Sequence, residues 1–229
     1  MGFSRMPIRI CCDAHNLPFL SDTFQFAFAY QTVHHFSNPV PVLTELHRVL
    51  ARNGFLFLNE EPMDSRLRRI IRGQRMLSHP PTRIQTIGYR LGVEKLFWDD
   101  GKWERSLGMT EARFDYDLWK QAVASFSIQY MEVNRKLKIL TRLEPSVSSI
   151  LASLIGGNVK ALMRKTTGQD WTESFENRLV CLDCHTPSLQ NSSDNLVCGI
   201  CQRIYPVVDG VIRMLPKELE EFLQNVHQE

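Results

Sequence analysis

Charge of one sign is scarce in this sequence. Its 27 lysines and arginines face 25 aspartates and glutamates, a formal net charge of +2. That balance is too near neutral to argue for nucleic acid or a membrane surface as partner. Long apolar runs are absent as well. The most apolar late stretch, Val147 to Met163, is interrupted by Ser148, Ser149, Ser153 and the Gly156-Gly157 pair, which excludes it as a membrane span. Glycine is thinly spread: none of its 12 positions lies two residues from another. No Gly-x-Gly turn of the kind that cradles a dinucleotide phosphate is therefore present. No apolar signal segment opens the chain, which points to a reduced, cytoplasmic protein. Internal repeats and low-complexity tracts are missing too.

What the sequence does hold is 43% apolar residues. That is enough for a real core, in one large domain or in one medium domain with a small appendage. Ile8 to Cys12 reads as a short strand ending at Asp13, after which Asn16-Leu17-Pro18 and Ser21-Asp22 turn the chain. Phe24 to Tyr30, FQFAFAY, is more apolar than an alternating half-exposed strand and suits a parallel sheet covered on both faces. Beyond the Asn38-Pro39 breaker, Val42, Leu43, Leu46, Val49 and Leu50 recur at helical spacing, with Glu45, Arg48 and Arg52 mostly opposite. Asn53-Gly54 would end that helix, since glycine enters a left-handed cap without steric cost. Phe55 to Leu58 follows as another buried strand. Strand, helix, turn and strand make a right-handed βαβ unit.

Ser65 to Leu77 reads as a basic helix. Its arginines, Arg66, Arg68, Arg69, Arg72 and Arg75, form either a solvated face or a surface for an anionic substrate. After His79-Pro80-Pro81 the pattern is irregular, with Phe97, Trp98 and Trp103 as aromatic packing. Phe114 to Phe126 resumes a helical pattern, with Leu118, Trp119, Ala122 and Val123 inward. Ser127 to Val133 is a strand, Leu137 to Leu143 a further strand candidate, and Val147 to Met163 an apolar helix weakened at its glycine pair. Thr166 to Glu176 is polar and linker-like.

Val180 to Pro216 is a different object. CLDC (Cys181, Cys184), thirteen residues, then CGIC (Cys198, Cys201) is the spacing of a four-thiolate ribbon. Each pair presents two sulfurs from one tight turn, and four soft ligands favour zinc over iron. A segment of roughly 40 residues has too little core to fold alone, so metal binding would supply much of its folding free energy. Four protein ligands leave no open position, which makes such a site structural. Redox-active or disulfide-bonded cysteine pairs are the alternative. Arg203 and Arg213 make only a thin basic patch, which argues against nucleic-acid recognition. Asp209-Gly210 marks a tight turn before the strand Val211 to Leu215. Pro216 then opens an acidic helix with Leu219, Phe222, Leu223 and Val226 on one face.

Asp13-Ala14-His15-Asn16-Leu17-Pro18-Phe19, Asp22-Thr23-Phe24, Glu45-Leu46-His47-Arg48-Val49-Leu50 and Gly54 together resemble the second half of a class I S-adenosylmethionine-dependent methyltransferase of type 11. Gln25 departs from the usual aspartate, and Ala51-Arg52-Asn53 from the commoner Lys-Pro-Gly turn. The resemblance implies that Asp13 accepts a hydrogen bond from the adenine amino group and that Ala14 offers its backbone N–H to the ring. It places Tyr30 and Gln31 on the methionine side of the cofactor. His34 and His35 would flank the substrate entrance, either one a base for an acceptor that must lose a proton. The family's first strand, glycine turn, helix and second strand have no counterpart in the seven residues before Ile8. The sequence therefore reads as N-terminally truncated and is expected to bind cofactor poorly. Its strand at Ile8 would swing over to pair with Phe24 to Tyr30 or stay loosely held. From Leu179 to Pro216, LVCLDC, LVCGIC and QRIYPVVDGVIRMLP resemble the small zinc proteins that pair with and activate tRNA methyltransferases. That likeness implies an interaction surface for a methyltransferase domain.

The expectation is an α/β chain: an incomplete Rossmann-like methyltransferase sheet over residues 1–165, a linker over 166–178, a four-cysteine zinc ribbon over 179–216 and an acidic helix over 217–229. Its cofactors would be S-adenosyl-L-methionine and Zn2+. Its reaction would be methyl transfer to an unidentified acceptor, impaired by the missing glycine loop. Its partners would be that acceptor and a protein held through the ribbon. The competing expectation is a non-catalytic scaffold derived from a methyltransferase.

Overall fold

The computed structural model describes residues 8–64, 114–134, 154, 157–170, 178–192 and 195–226. In chain order these form β1 (Arg9–Cys12), β2 (Phe24–Tyr30), a 3-10 turn (Val33–His35), α1 (Pro39–Val49), β3 (Leu50–Met63), α2 (Tyr116–Ala122), β4 (Ser127–Asn134), β5 (Gly157–Arg164), β6 (Leu189–Ser192), β7 (Asn195–Cys198), β8 (Ile204–Val208), β9 (Val211–Met214) and α3 (Lys217–Val226). The class is mixed α/β, as the pattern of elements requires. One sheet has the order β2-β3-β5-β4, and the other has β1-β9-β8-β7-β6.

The βαβ unit is present. β2 and β3 pair in parallel, Phe26 opposite Phe55 and Tyr30 opposite Asn59, with α1 crossing between them. Asn38 caps α1 by accepting from the Val40 N–H at 3.0 Å, and Pro39 takes the first helical position, where its missing N–H costs nothing. The other end of α1 differs from expectation. The helix stops at Val49 with Leu50 already extended, and Asn53, at φ 66°, is the left-handed residue. Gly54 serves close approach instead. A Cβ there would lie 2.9 to 3.1 Å from the carbonyl oxygens of Ala51, Phe24 and Gln25. The buried Lys165 closes the helix end, its Nζ 2.8 Å from Asp22 Oδ1, 2.7 Å from the Leu50 carbonyl and 3.3 Å from that of Arg48. A cation at a helix C-terminus meets carbonyls that no intrahelical N–H satisfies.

One face of the β2-β3-β5-β4 sheet carries the core. Leu56 and Leu58 of β3 and Val159, Ala161 and Met163 of β5 pack under Leu43 and Leu46 of α1 and Trp119 of α2. β5 corrects an expectation, because residues 157–163 belong to a strand antiparallel to β3 and β4 rather than to an apolar helix. Buried Val159, Ala161 and Met163 alternate with Lys160, Leu162 and Arg164, a period of two hidden inside a long apolar run. β2 corrects another. Among the described residues it is an edge strand with one covered face, where Ala29 is buried while Phe26 and Phe28 are each 56% exposed and Tyr30 50%. Phe28 stacks on Phe57 across the pair, ring centroids 5.6 Å apart.

β1 departs furthest from expectation. It neither joins β2 nor hangs loose, but runs parallel to β9 in register from Arg9–Val211 to Cys12–Met214. Ile10, Cys12 and Phe19 pack with Leu179, Leu196, Tyr205, Met214 and the cysteines Cys181, Cys184 and Cys198 into a second, smaller core. Two hydrogen bonds extend the seam, from the Leu20 N–H to the Arg178 carbonyl (2.9 Å) and from the Val180 N–H to the Pro18 carbonyl (3.0 Å). The hairpin β8–β9 turns through Asp209 and Gly210, both at positive φ, as a two-residue hairpin of right-handed twist demands. It leaves the free edge of β9 for β1 to pair with.

Ser127 to Val133 is a strand as its pattern indicates, and the helix expected over Phe114 to Phe126 is the shorter α2, capped by Asp115. In α3, which follows Pro216 as expected, Leu219 is 43% exposed; the side chains of Phe222, Leu223 and Val226 lie outside the described residues. So do the basic helix at Ser65 to Leu77, the aromatic stretch through Trp103 and the strand candidate Leu137 to Leu143. No described helix is long and apolar enough to cross a membrane.

Candidate functional site

The loops that leave the carboxyl ends of β1 and β2 carry the candidate residues. Asp13 and Ala14 turn the chain directly after β1. Asp13 Oδ1 accepts from both the backbone N–H (2.9 Å) and the ring Nδ1 (2.8 Å) of His15. Burial pushes the Asp13 carboxyl up, but the two His15 bonds outweigh it and hold the group below its usual range. The His15 ring meets Phe36 edge-on at 5.2 Å, which sets the loop after β1 against the loop after β2. The first loop is also bolted to α1. Glu45 Oε2 accepts from the Leu17 N–H at 3.1 Å, and Arg48 donates to the carbonyls of Phe19 (2.8 Å) and Leu17 (3.0 Å). Arg48 is itself held by two bonds to Glu45, of 2.9 and 2.8 Å. Tyr30 and Gln31 are exposed at the end of β2, with Gln31 at φ 47° and its N–H on the Asn59 carbonyl at 3.2 Å.

Glu61 organises the second loop, and sequence reasoning missed it. Its side chain is fully buried. Oε1 accepts from the N–H groups of Thr32 (2.8 Å) and Val33 (3.1 Å), and Oε2 from the His34 N–H (3.2 Å) and ring Nδ1 (3.0 Å). Burial alone would raise this carboxyl, but the His34 ring and the Thr32 and Val33 amides bring it below its ordinary value. Glu60 sits at φ 58°, and the β3–β5 register slips between Leu58 and Glu61. That bulge turns the acid inward, where a regular strand would have shown it to the other face. The only signal in the sequence was an acidic pair at the end of a buried strand. His34 is buried and His35 exposed, their rings 4.2 Å apart.

The two CxxC turns face each other as expected. All four sulfurs, of Cys181, Cys184, Cys198 and Cys201, lie within 4.8 Å of one another. The Cys181–Cys201 and Cys184–Cys198 separations are 3.4 and 3.5 Å, close to the ~3.8 Å edge of a tetrahedron with metal–sulfur bonds of about 2.3 Å. All six cysteines are free thiols, so no disulfide competes for the sulfurs. The turns are built alike. His185 and Gln202, each following a pair, stand at φ 53° and 60° and donate to the carbonyls of Cys181 and Cys198 at 2.9 and 3.0 Å. The Cys201 backbone N–H leads the groups that hold the Cys198 thiol down to about 6. At Cys181 burial raises the thiol, but the Tyr205 hydroxyl and the Cys184 and Asp183 amides leave it lowered. That hydroxyl lies 3.2 Å from the Cys181 sulfur and accepts from the Leu182 N–H at 2.7 Å. At Cys201 the Arg203 N–H lowers the thiol, but burial and the neighbouring thiols push it up to about 12. Two thiols drawn toward the anionic form among four soft sulfurs in a near-tetrahedral array fit a soft divalent metal. Arg203, read from sequence as part of a basic patch, is instead a bolt. It pairs with Asp183, donates to the Leu215 carbonyl at 2.7 Å and lies over the Tyr205 ring.

The segment that holds these loops matches a family model described as a methyltransferase domain over residues 4–58. The resemblance seen in the sequence is borne out over that segment, which contains Asp13, Ala14, Tyr30, Gln31, His34 and His35 and stops short of Glu61. No curated protein matches the chain. Among solved structures, the [4+2]-cyclase SpnF is 20% identical at a TM-score of 0.38, with 69% of this chain and 55% of that one covered. A complex containing the Haloferax volcanii Trm112 methyltransferase activator is 11% identical at 0.36, covering 69% and 60%. A SAM-dependent methyltransferase from Methanosarcina mazei is 17% identical at 0.38, covering 68% and 66%. The chain thus spans 55% and 60% of the first two, and likeness at these TM-scores carries no argument about chemistry.

Proposed function

We propose that this chain serves S-adenosylmethionine-dependent methyl transfer to an unidentified acceptor, with a zinc-loaded ribbon holding the strand that carries the adenine contact. The observation that supports this most is the pairing of β1 with β9. Asp13 directly follows β1, lies in the methyltransferase-domain segment, and so hangs from a strand whose ladder partner among the described residues is the ribbon. In this reading the ionised Asp13 accepts from the adenine amino group and Ala14 offers its N–H to the ring. Tyr30 and Gln31 line the methionine side, and His34 or His35 takes the proton from the acceptor. When bound, the cofactor supplies a methyl group on a sulfonium, whose displacement needs alignment above all. Zinc is the metal that four thiolates in this array favour, and free thiols suit a reducing, cytoplasmic setting. The ribbon's likeness to methyltransferase activators supports a protein partner on that module.

The absence of any Gly-x-Gly turn in the sequence leaves part of a cofactor site unsupplied. It supports weak binding, and it equally favours the second reading, a non-catalytic scaffold built on a methyltransferase segment. Calorimetric titration of the zinc-loaded chain with S-adenosylmethionine separates the two. Methyl transfer predicts saturable binding weaker than micromolar that Asp13→Ala weakens about tenfold, the loss of a hydrogen bond to a charged group. No heat up to millimolar cofactor would favour the scaffold. A submicromolar dissociation constant would contradict the impairment.

A further inference from the structure

We infer that Glu61 is a positioning residue that holds His34, and not His35, as the Nδ1–H tautomer with Nε2 as its basic nitrogen. The function of that nitrogen rests on the methyl-transfer reading; the way it is held does not.

The geometry is one of saturation. An ionised carboxylate offers about four lone-pair sites and no proton. Thr32 N–H, Val33 N–H, His34 N–H and His34 Nδ1 occupy them, two on each oxygen of Glu61. A group that only accepts requires Nδ1 to be the donor, which leaves Nε2 as the nitrogen that takes up a proton. No site on Glu61 remains for His35. The carboxylate therefore does two things at once: it gathers three successive amides into a fixed turn and sets the ring of the third residue within that turn.

Such a pairing is what a general base needs. When Nε2 takes a proton, the imidazolium stays 3.0 Å from a buried carboxylate, where opposite charges attract strongly and no rearrangement is required. In methyl transfer the acceptor's X–H proton would pass to Nε2 as X bonds to the methyl carbon, and the electron pair of the broken S–CH3 bond would remain on sulfur. The exposed His35, its ring tilted against that of His34, would be dispensable for that step.

The test uses the full metal-loaded chain labelled with 15N-histidine and long-range 1H–15N spectra recorded above neutral pH. The expected spectrum shows His34 as a single tautomer protonated at Nδ1. Glu61→Gln offers one acceptor oxygen to four donors and should give a tautomer mixture at His34 with the His35 signals in place. A wild-type His34 protonated at Nε2, or a mixture of tautomers, would overturn the proposal whether or not the variant folds. Titration of the same sample with S-adenosylmethionine keeps the two readings apart. A fixed Nδ1–H tautomer without cofactor binding supports the role of Glu61 and overturns methyl transfer. A mixed tautomer with cofactor binding does the reverse.

Discussion

Lys165 shows how a single side chain ties this chain together. Its ammonium, almost fully buried, satisfies Asp22 and the carbonyls at the end of α1. Lys165→Met would strand Asp22, whose side chain is only 16% exposed, beside unfilled carbonyls. We expect a loss of about 3–5 kcal/mol in urea denaturation, the range for removing one partner of a buried pair. His47 adds a pH dependence. Burial first, then the nearby Lys165 charge, lower its pKa below the ordinary 6.5, and the Ser125 backbone and Asp22 offset this only in part. The folded state thus keeps His47 neutral where the unfolded chain has begun to bind a proton. Its contribution is fully present above about pH 6.5 and is lost as pH falls below that value. Denaturation midpoints measured across this range should slope downward toward acid, and His47→Gln should flatten the slope. The clustering of the four cysteines was legible in the sequence because its signal is a local spacing. Glu61 and Lys165 were not, because their partners lie 27 to 29 and 115 to 143 residues away and only the fold brings them together.

Among the elements, the βαβ unit was readable because helix periodicity and an apolar strand follow each other without interruption. β5 was not, since an apolar stretch of that length hides whether its period is two or 3.6. β2 misled in the opposite way, its aromatic content suggesting two covered faces where one is half-open. Gly54 was recognised at the right position for a different reason from the one it serves. It lets the start of β3 press against the start of β2, where a methyl group would meet three backbone oxygens. Backbone cannot swing aside as a long side chain can. Gly54→Ala should therefore lose about 1–3 kcal/mol, the usual range for overpacking, in thermal or denaturant unfolding. Zinc stoichiometry should stay unchanged, because the cysteine module makes none of those contacts.

At the scale of the molecule, the two sheets do not divide at the linker that composition suggests. Residues 8–20 follow the methyltransferase pattern in sequence yet pack into the core that the cysteines anchor. No local pattern could reveal this, because strand pairing between positions 9–12 and 211–214 is decided by which edges the rest of the fold leaves open. In the proposed reading a core this small would depend on a metal held by the ribbon for stability, so the strand that leads into Asp13 should depend on it as well. Hydrogen exchange of the zinc-loaded chain, before and after chelation, tests this most directly. Chelation should remove protection together from the amides of β1, from Leu20 and Val180 across the seam, and from β7 to β9, while β3 and β5 stay protected. Undiminished protection of β1, with the ribbon amides exchanging freely, would contradict the account.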